Sequence, residues 1–400
     1  MKQFFSALIY CLFKPFGTLY AVVFQHLRFK KHGHKIPRGP VLVLSDHHSN
    51  WDGVYINMFF FFRIVHFIVH DELFRNKFTS FFFGTLLGEV RRGMTPTDVS
   101  DIMELRRLAR KGKSIGITVE GDIHMFGRLM PVEESVAKLA KMLKLPVVLM
   151  QVEGAAGRAP RWARHTRHHP IIYHVNDVIS LEELSSTSVK DLHARILAGI
   201  TPPEKSSVHY KLRPSPWRAE WLELGFYYCP NCHQFETMKS KGDRVFCTKC
   251  DLEARYNRYE KLEQVERFGI QTLTDWEDVQ DAALQAKVDA LKPGELLFEA
   301  KDLDYYRTKQ VGYFKKPELL HTTLRVYEDR LEGYDEKEQL FVSVPIRDMV
   351  RINLQYKDVL EVHFGEDRIR FRTKKRKWSG YLYVRALLKL KVRQKEKSDS

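Results

Sequence analysis

The stretch Val41-Leu42-Val43-Leu44-Ser45-Asp46-His47-His48-Ser49-Asn50-Trp51-Asp52-Gly53 decides how the first half of the chain reads. Four consecutive branched apolar residues predict a short strand buried on both faces, and the change to polar residues marks its carboxyl end. Ser114-Ile115-Gly116-Ile117-Thr118-Val119 and Pro146-Val147-Val148-Leu149-Met150 have the same character. Between them Val136, Leu139, Ala140 and Leu143 recur at helical spacing. Buried strands separated by helical patterns predict an α/β domain over residues 31–200.

The polar loop carries the chemistry. His47 and Asp52, five positions apart, can meet if the intervening turn is tight. The carboxylate would then fix the imidazole tautomer and stabilise the imidazolium, leaving the other ring nitrogen to take a proton from a hydroxyl. This is the base half of a Ser-His-Asp triad, and no nucleophile elbow is expected elsewhere in the chain. The attacking hydroxyl then comes from the substrate, which points to acyl transfer onto an acceptor alcohol. On spacing alone, a loop whose His and Asp bond only the backbone is the simpler reading.

Downstream motifs tip that balance. The chain resembles the glycerophospholipid acyltransferase family, which includes the lysophosphatidic acid acyltransferases. His47, Ser49 and Asp52 match its first motif, Asn-His-x-Ser-x-x-Asp, with Asp46 replacing the Asn. Gly88-Glu89-Val90-Arg91-Arg92-Gly93 resembles a shortened second motif. Glu120-Gly121 keeps the Glu-Gly of the third motif but lacks its Thr-Arg, and Leu145-Pro146-Val147-Val148 fits the fourth. The resemblance implies a mixed sheet flanked by helices, with His47 as base and Asp52 as its orienting carboxylate. It also implies substrate contacts from Arg92, Glu120 and Gly121. The acyl donor implied is acyl-CoA or acyl-carrier protein. The acceptor implied is a lysophospholipid, with 1-acyl-sn-glycerol 3-phosphate as the default.

The remainder of the chain bears on where this chemistry takes place. Four hundred residues exceed one typical core, and 44% hydrophobic content excludes a largely disordered chain. A net charge of +15 implies an anionic partner. Residues 4–24 are apolar but broken by Lys14, Pro15 and Gly17, which disfavours a spanning helix. Residues 1–30 are therefore expected to lie in a membrane interface. Among 26 Phe, the runs Phe59–Phe62 and Phe81–Phe83 cannot all face one core. A monotopic or peripheral protein at the cytoplasmic face of a membrane is the resulting expectation.

Cys229-Pro230-Asn231-Cys232 and Cys247-Thr248-Lys249-Cys250, fourteen residues apart, have the spacing of a zinc ribbon. Cys229, Cys232, Cys247 and Cys250 are the predicted ligands of a structural Zn²⁺, with the ribbon at residues 225–258 after a linker at 201–224. Residues 262–395 are expected to form a β-rich α+β domain, with strands at 323–327, 340–344, 350–354, 359–364 and 368–372. A curved antiparallel sheet with a closing helix is similar, at pattern level, to pleckstrin-homology or GRAM folds. Residues 368–397 hold 13 Lys/Arg against one Glu, which suits a helix on anionic lipid. The competing reading is a nucleic-acid- or protein-binding protein with a degenerate acyltransferase-like domain. Nucleic acid is the less favoured partner, and membrane lipid, lysophospholipid and acyl-carrier protein are the favoured ones.

Overall fold

A computed structural model describes residues 14–60, 63–69, 81, 90–91, 99–201, 211–309, 316–373 and 378–399. The chain divides into two compact units. The first comprises residues 1–93, 97–160 and 166–213; the second comprises 94–96, 161–165 and 214–400.

In chain order the first unit holds α1 (residues 14–24), β1 (Leu27–Lys30), β2 (Leu42–Ser45) and α2 (Asp52–Phe59). Next come β3 (Val65–Val69), β4 (Val90–Arg91), α3 (Val99–Arg110), β5 (Ser114–Thr118) and α4 (Ser135–Leu143). It ends with β6 (Val147–Glu153), α5 (Ala155–Arg158), β7 (Ile171–Ile179), α6 (Leu181–Ser186) and α7 (Val189–Ile200). Seven strands form one mixed sheet in the order β1-β7-β6-β2-β5-β3-β4. Neighbours run parallel except β6 and β7.

Both faces of this sheet are covered, as the uninterrupted apolar strands require. Val41 and Val43 join Tyr55, Ile56, Phe60 and Met150 on one side. Leu42 and Leu44 join Leu105, Ala140, Leu149 and Ile196 on the other. Alternate Cβ atoms of a strand point to opposite faces, so the unbroken apolar run Val41–Leu44 fills both cores. Gly116 makes room in β5: a Cβ there would meet the Phe67 ring at 2.2 Å.

The second unit holds β8 (Met238–Lys241), β9 (Arg244–Cys247), β10 (Glu253–Tyr256) and β11 (Leu262–Glu263), an antiparallel sheet beside the cysteines. It continues with α8 (Leu273–Asp289), β12 (Leu296–Lys309), β13 (Leu319–Tyr327), β14 (Arg330–Tyr334) and β15 (Leu340–Pro345). Then follow β16 (Met349–Gln355), β17 (Val359–Phe364), β18 (Asp367–Arg372) and α9 (Gly380–Asp399). These last seven strands form one antiparallel sheet in the order β15-β14-β13-β12-β18-β17-β16. Gly365, at φ +50°, and Glu366 make the tight turn between β17 and β18.

The cysteine segment and the C-terminal strands share a core. Trp276 of α8 is fully buried, stacks on Phe226 at 4.4 Å and donates its indole N–H to the Tyr228 carbonyl at 3.1 Å. Buried Gln280 accepts from the Tyr227 N–H and donates to the Gly225 carbonyl. The basic C-terminal run differs from the lipid-facing helix expected of it. Leu382, Tyr383, Ala386, Leu387 and Leu390 are all buried. Arg385 and Lys389 are paired with Asp281, Lys397 with Glu328, and Arg370 with the buried Glu361. These four of the run's thirteen basic side chains are thus paired with carboxylates within the unit.

Candidate active site and cysteine cluster

The loop after β2 leaves the carboxyl edge of the sheet, where open α/β sheets place their ligands. Asp52, the first residue of α2, turns back under this loop. Its Oδ2 lies 3.0 Å from His47 Nδ1 and accepts the backbone N–H groups of His48 at 2.8 Å and Ser49 at 2.9 Å. Its Oδ1 accepts the Tyr173 hydroxyl at 2.8 Å. Asp52 is buried while the His47 side chain is 22% exposed, so the imidazole is anchored inside and open outside. Burial alone would raise the Asp52 carboxyl. The His47 bond and charge, the His48 charge and the Ser49 N–H outweigh it and hold the group below its ordinary value.

A second buried pair lies alongside. Asp46 Oδ2 is 2.8 Å from His48 Nε2, and Asp46 Oδ1 accepts the Val152 N–H of β6 at 3.0 Å. The His48 ring meets His124 edge-on at 4.0 Å. Burial raises the Asp46 carboxyl despite His48. Glu120, in the loop after β5, accepts from the His47 N–H at 3.2 Å and the Met130 N–H at 3.1 Å. Burial, then the charge of Asp46, pushes Glu120 up to about 9, so it holds its proton at neutral pH. Glu120 therefore supports the backbone of His47. Gly121 is exposed, and a Cβ there would meet nothing within 4 Å. The backbone of Arg91 pairs with Val69 at the β3–β4 edge, and Arg92 lies outside the described residues.

One expectation needs correcting. The pentapeptide Gly112-Lys113-Ser114-Ile115-Gly116 does have Gly-x-Ser-x-Gly spacing. It leads into a strand instead of from a strand into a helix. Ser114 opens β5 and its Oγ accepts the Val41 N–H at 3.2 Å. The register Leu42 to Ile115 puts it at the amino edge of the sheet, away from His47. It is no nucleophile for this site.

Tyr173 and the Asp46–His48 pair were not singled out from the sequence. The first lies 121 positions from its partner, in a strand that no motif marks. The second was visible only as a departure from the first motif.

In the second unit, Cys229, Cys232, Cys247 and Cys250 bring their sulfurs within 4.8 Å of one another, an arrangement that can hold a metal ion. None is in a disulfide. The separations Cys229–Cys250 and Cys232–Cys247 are 3.6 and 3.7 Å. A tetrahedron with Zn–S bonds of about 2.3 Å has edges of about 3.8 Å, so the donor set fits that ion. The knuckles are braced locally: Lys249 N–H donates to Cys247 Sγ at 3.3 Å, and the Cys229 N–H donates to the Gln234 carbonyl at 3.0 Å.

Comparison with known proteins bears on the first unit above all. A crystal structure of a 1-acyl-sn-glycerophosphate (LPA) acyltransferase, PlsC, from Thermotoga maritima is similar at 14% identity and TM-score 0.37, covering 52% of this chain and 99% of that one. A Vps36 N-terminal PH domain is similar at 14% identity and TM-score 0.21, over 26% of this chain and 83% of that one. No curated protein matches the chain in sequence. The sequence model of the acyltransferase family matches residues 28–152, the span from β1 to the end of β6 that includes His47, Asp52 and Glu120. Residues 28–152 are thus similar in sequence to the acyltransferase family.

Proposed function

We propose that this chain transfers a fatty acyl group from a thioester donor to the hydroxyl of a lysophospholipid, with 1-acyl-sn-glycerol 3-phosphate as the first acceptor to test. The observation that carries the reading is the His47–Asp52 pair: a partly exposed imidazole oriented by a buried, multiply bonded carboxylate. His47 Nε2 takes the acceptor's hydroxyl proton as the oxygen attacks the thioester carbonyl. The C–S bond then breaks, and the leaving thiolate recovers the proton from the imidazolium. Asp52 holds the tautomer and stabilises the imidazolium between these steps. Acyl-CoA and acyl-carrier protein both supply such a thioester. Arg92 is the proposed contact for the acceptor's phosphate.

The exposed face of α1 supports work at a membrane surface. Phe16, Leu19, Tyr20, Val23 and Phe24 are each half or more exposed, and Trp51 is exposed beside the loop of His47. Among the described residues no helix is long and apolar enough to cross a membrane. An amphipathic segment lying in the interface fits both facts. The cysteine cluster is proposed to hold a structural Zn²⁺, because four thiolates complete a tetrahedral shell and leave no open position. It would supply folding energy to the second unit.

The test is an acyl-transfer assay over a panel of lysolipids, comparing wild type with His47→Ala and Arg92→Ala. Loss of transfer in the first and a raised acceptor KM in the second is the expected pattern. Near wild-type turnover by His47→Ala would refute the reading.

A further inference from the structure

We infer that Tyr173 is a positioning residue for the His47–Asp52 pair, an inference that rests on the acyl-transfer reading above. Three donors crowd onto Asp52 Oδ2: His47 Nδ1 and the N–H groups of His48 and Ser49. Bonds to one oxygen leave the carboxylate able to swing about it. The Tyr173 hydroxyl, 2.8 Å from Oδ1, holds the second oxygen and so fixes the plane in which Oδ2 meets the imidazole. Tyr173 is itself immobile: it is 1% exposed, and its ring packs against Phe29 at 5.9 Å and Tyr55 at 6.2 Å.

The sheet explains why this residue can serve. In β7, Tyr173 pairs with Val152 of β6 on one side and Phe29 of β1 on the other. Val152 gives its N–H to Asp46, and Tyr173 gives its O–H to Asp52. One row of the sheet therefore supports both carboxylates of the loop. Tyr173 lies beyond residue 152, outside the stretch that the family model matches.

The electrostatic consequence has a definite sign. A phenol donating to Asp52 draws negative charge away from His47. Without it, the carboxylate stabilises the imidazolium more, and His47 titrates at higher pH. The other ionisable groups around the pair are His48 and Asp46 from the same loop, Glu120 from the loop after β5, and Tyr55 of α2 with Arg158 of α5 near it. All stay in place when only the Tyr173 hydroxyl is changed.

The experiment follows the His47 ring by NMR in full-length protein labelled with ¹³C-histidine, its signal assigned by loss in His47→Gln. Tyr173→Phe is expected to raise the His47 midpoint. A fluorotyrosine placed at position 173, a more acidic phenol of nearly the same shape, is expected to lower it. In turnover with oleoyl-CoA and oleoyl-lysophosphatidic acid, Tyr173→Phe should lower kcat roughly tenfold with little change in KM, as for loss of a charge-assisted hydrogen bond. An unchanged His47 titration in both variants would overturn the inference. So would a Tyr173→Phe activity loss that only tracks the folded fraction. If Tyr173→Phe does not fold, the fluorotyrosine protein decides alone. Turnover that survives His47→Ala would sink the acyl-transfer reading instead, while the titration would still report on Tyr173.

Discussion

Asp52 Oδ2 stands 3.0 Å from His47 Nδ1 while accepting the N–H groups of His48 and Ser49, so the carboxylate that orients the imidazole also closes the loop that carries it. Asp52→Asn tests both roles. An amide can present its NH₂ to Nδ1 and select the wrong tautomer. A loss of about 10²–10⁴-fold in kcat is expected for it and for His47→Ala, the usual contribution of a positioned base. His47→Ala should leave thermal unfolding near wild type, because the His47 ring is part exposed and the loop's backbone bonds remain. Asp52→Asn should also lower the unfolding temperature.

Glu120 and Asp52 act oppositely on stability as pH changes. The folded Glu120 binds its proton up to about pH 9, whereas the unfolded group releases it near 4.3. Its contribution is therefore greatest at low pH and falls steadily as pH rises between those limits. Asp52 is held below its ordinary value, so its contribution is present above about pH 3.9 and lost as pH falls further. Glu120→Gln, which mimics the neutral acid, should flatten the decline between pH 5 and 9 and keep most activity. Glu120→Ala should lose activity by freeing the His47 backbone. Thermal melts across pH and acyl-transfer rates check both outcomes; a wild-type pH slope in Glu120→Gln would refute the assignment.

Metal removal should act on the second unit as a whole. The Tyr227–Tyr228 backbone beside Cys229 bonds Gln280 and Trp276 of α8, so the cysteine cluster and the helix are expected to unfold together. Chelation, or Cys232→Ser, should release one zinc per chain and lower far-UV ellipticity by more than a 30-residue ribbon accounts for. Metal analysis with circular dichroism measures this. Intact ellipticity after complete zinc loss would show that the cluster is dispensable to the fold.

The exposed face of α1 should govern membrane association. Leu19→Glu with Phe24→Glu places two charges where an apolar surface now faces outward. Sedimentation with anionic vesicles is expected to fall at least tenfold, as burying a charge at a lipid interface is costly. Unfolding temperature should not change. Undiminished sedimentation would place the lipid contact elsewhere.

Much of this was readable from local pattern. The strands at β2, β5 and β6 announced themselves because burial on both faces demands uninterrupted apolar runs. The β17–β18 hairpin was readable because alternation and a Gly-led turn lie within a few residues. The longest strand, β12, was not. Its pairing with β13 shifts register between Ala300 and Leu303, near Asp302 at φ +62°, and such irregularities erase the two-residue period. The strand β7 was missed because Ile-Ile-Tyr-His-Val-Asn-Asp-Val-Ile mixes apolar and polar residues without an unbroken apolar run or a sustained alternation.

By itself the sequence determined the α/β character of the first unit and the four cysteines of the cluster, and it offered His47 and Asp52 as a pair that a tight turn could close. Each depends on residues close along the chain, where spacing limits geometry. Tertiary structure alone decided what surrounds the pair. Tyr173 reaches Asp52, and Val152 reaches Asp46, only because β7 and β6 pair beside β2. It also decided that Arg385 and Lys389 of the basic run are matched by Asp281, over 100 positions away. Partners so distant in sequence leave no periodic trace; the sheet order and the helix packing bring them together.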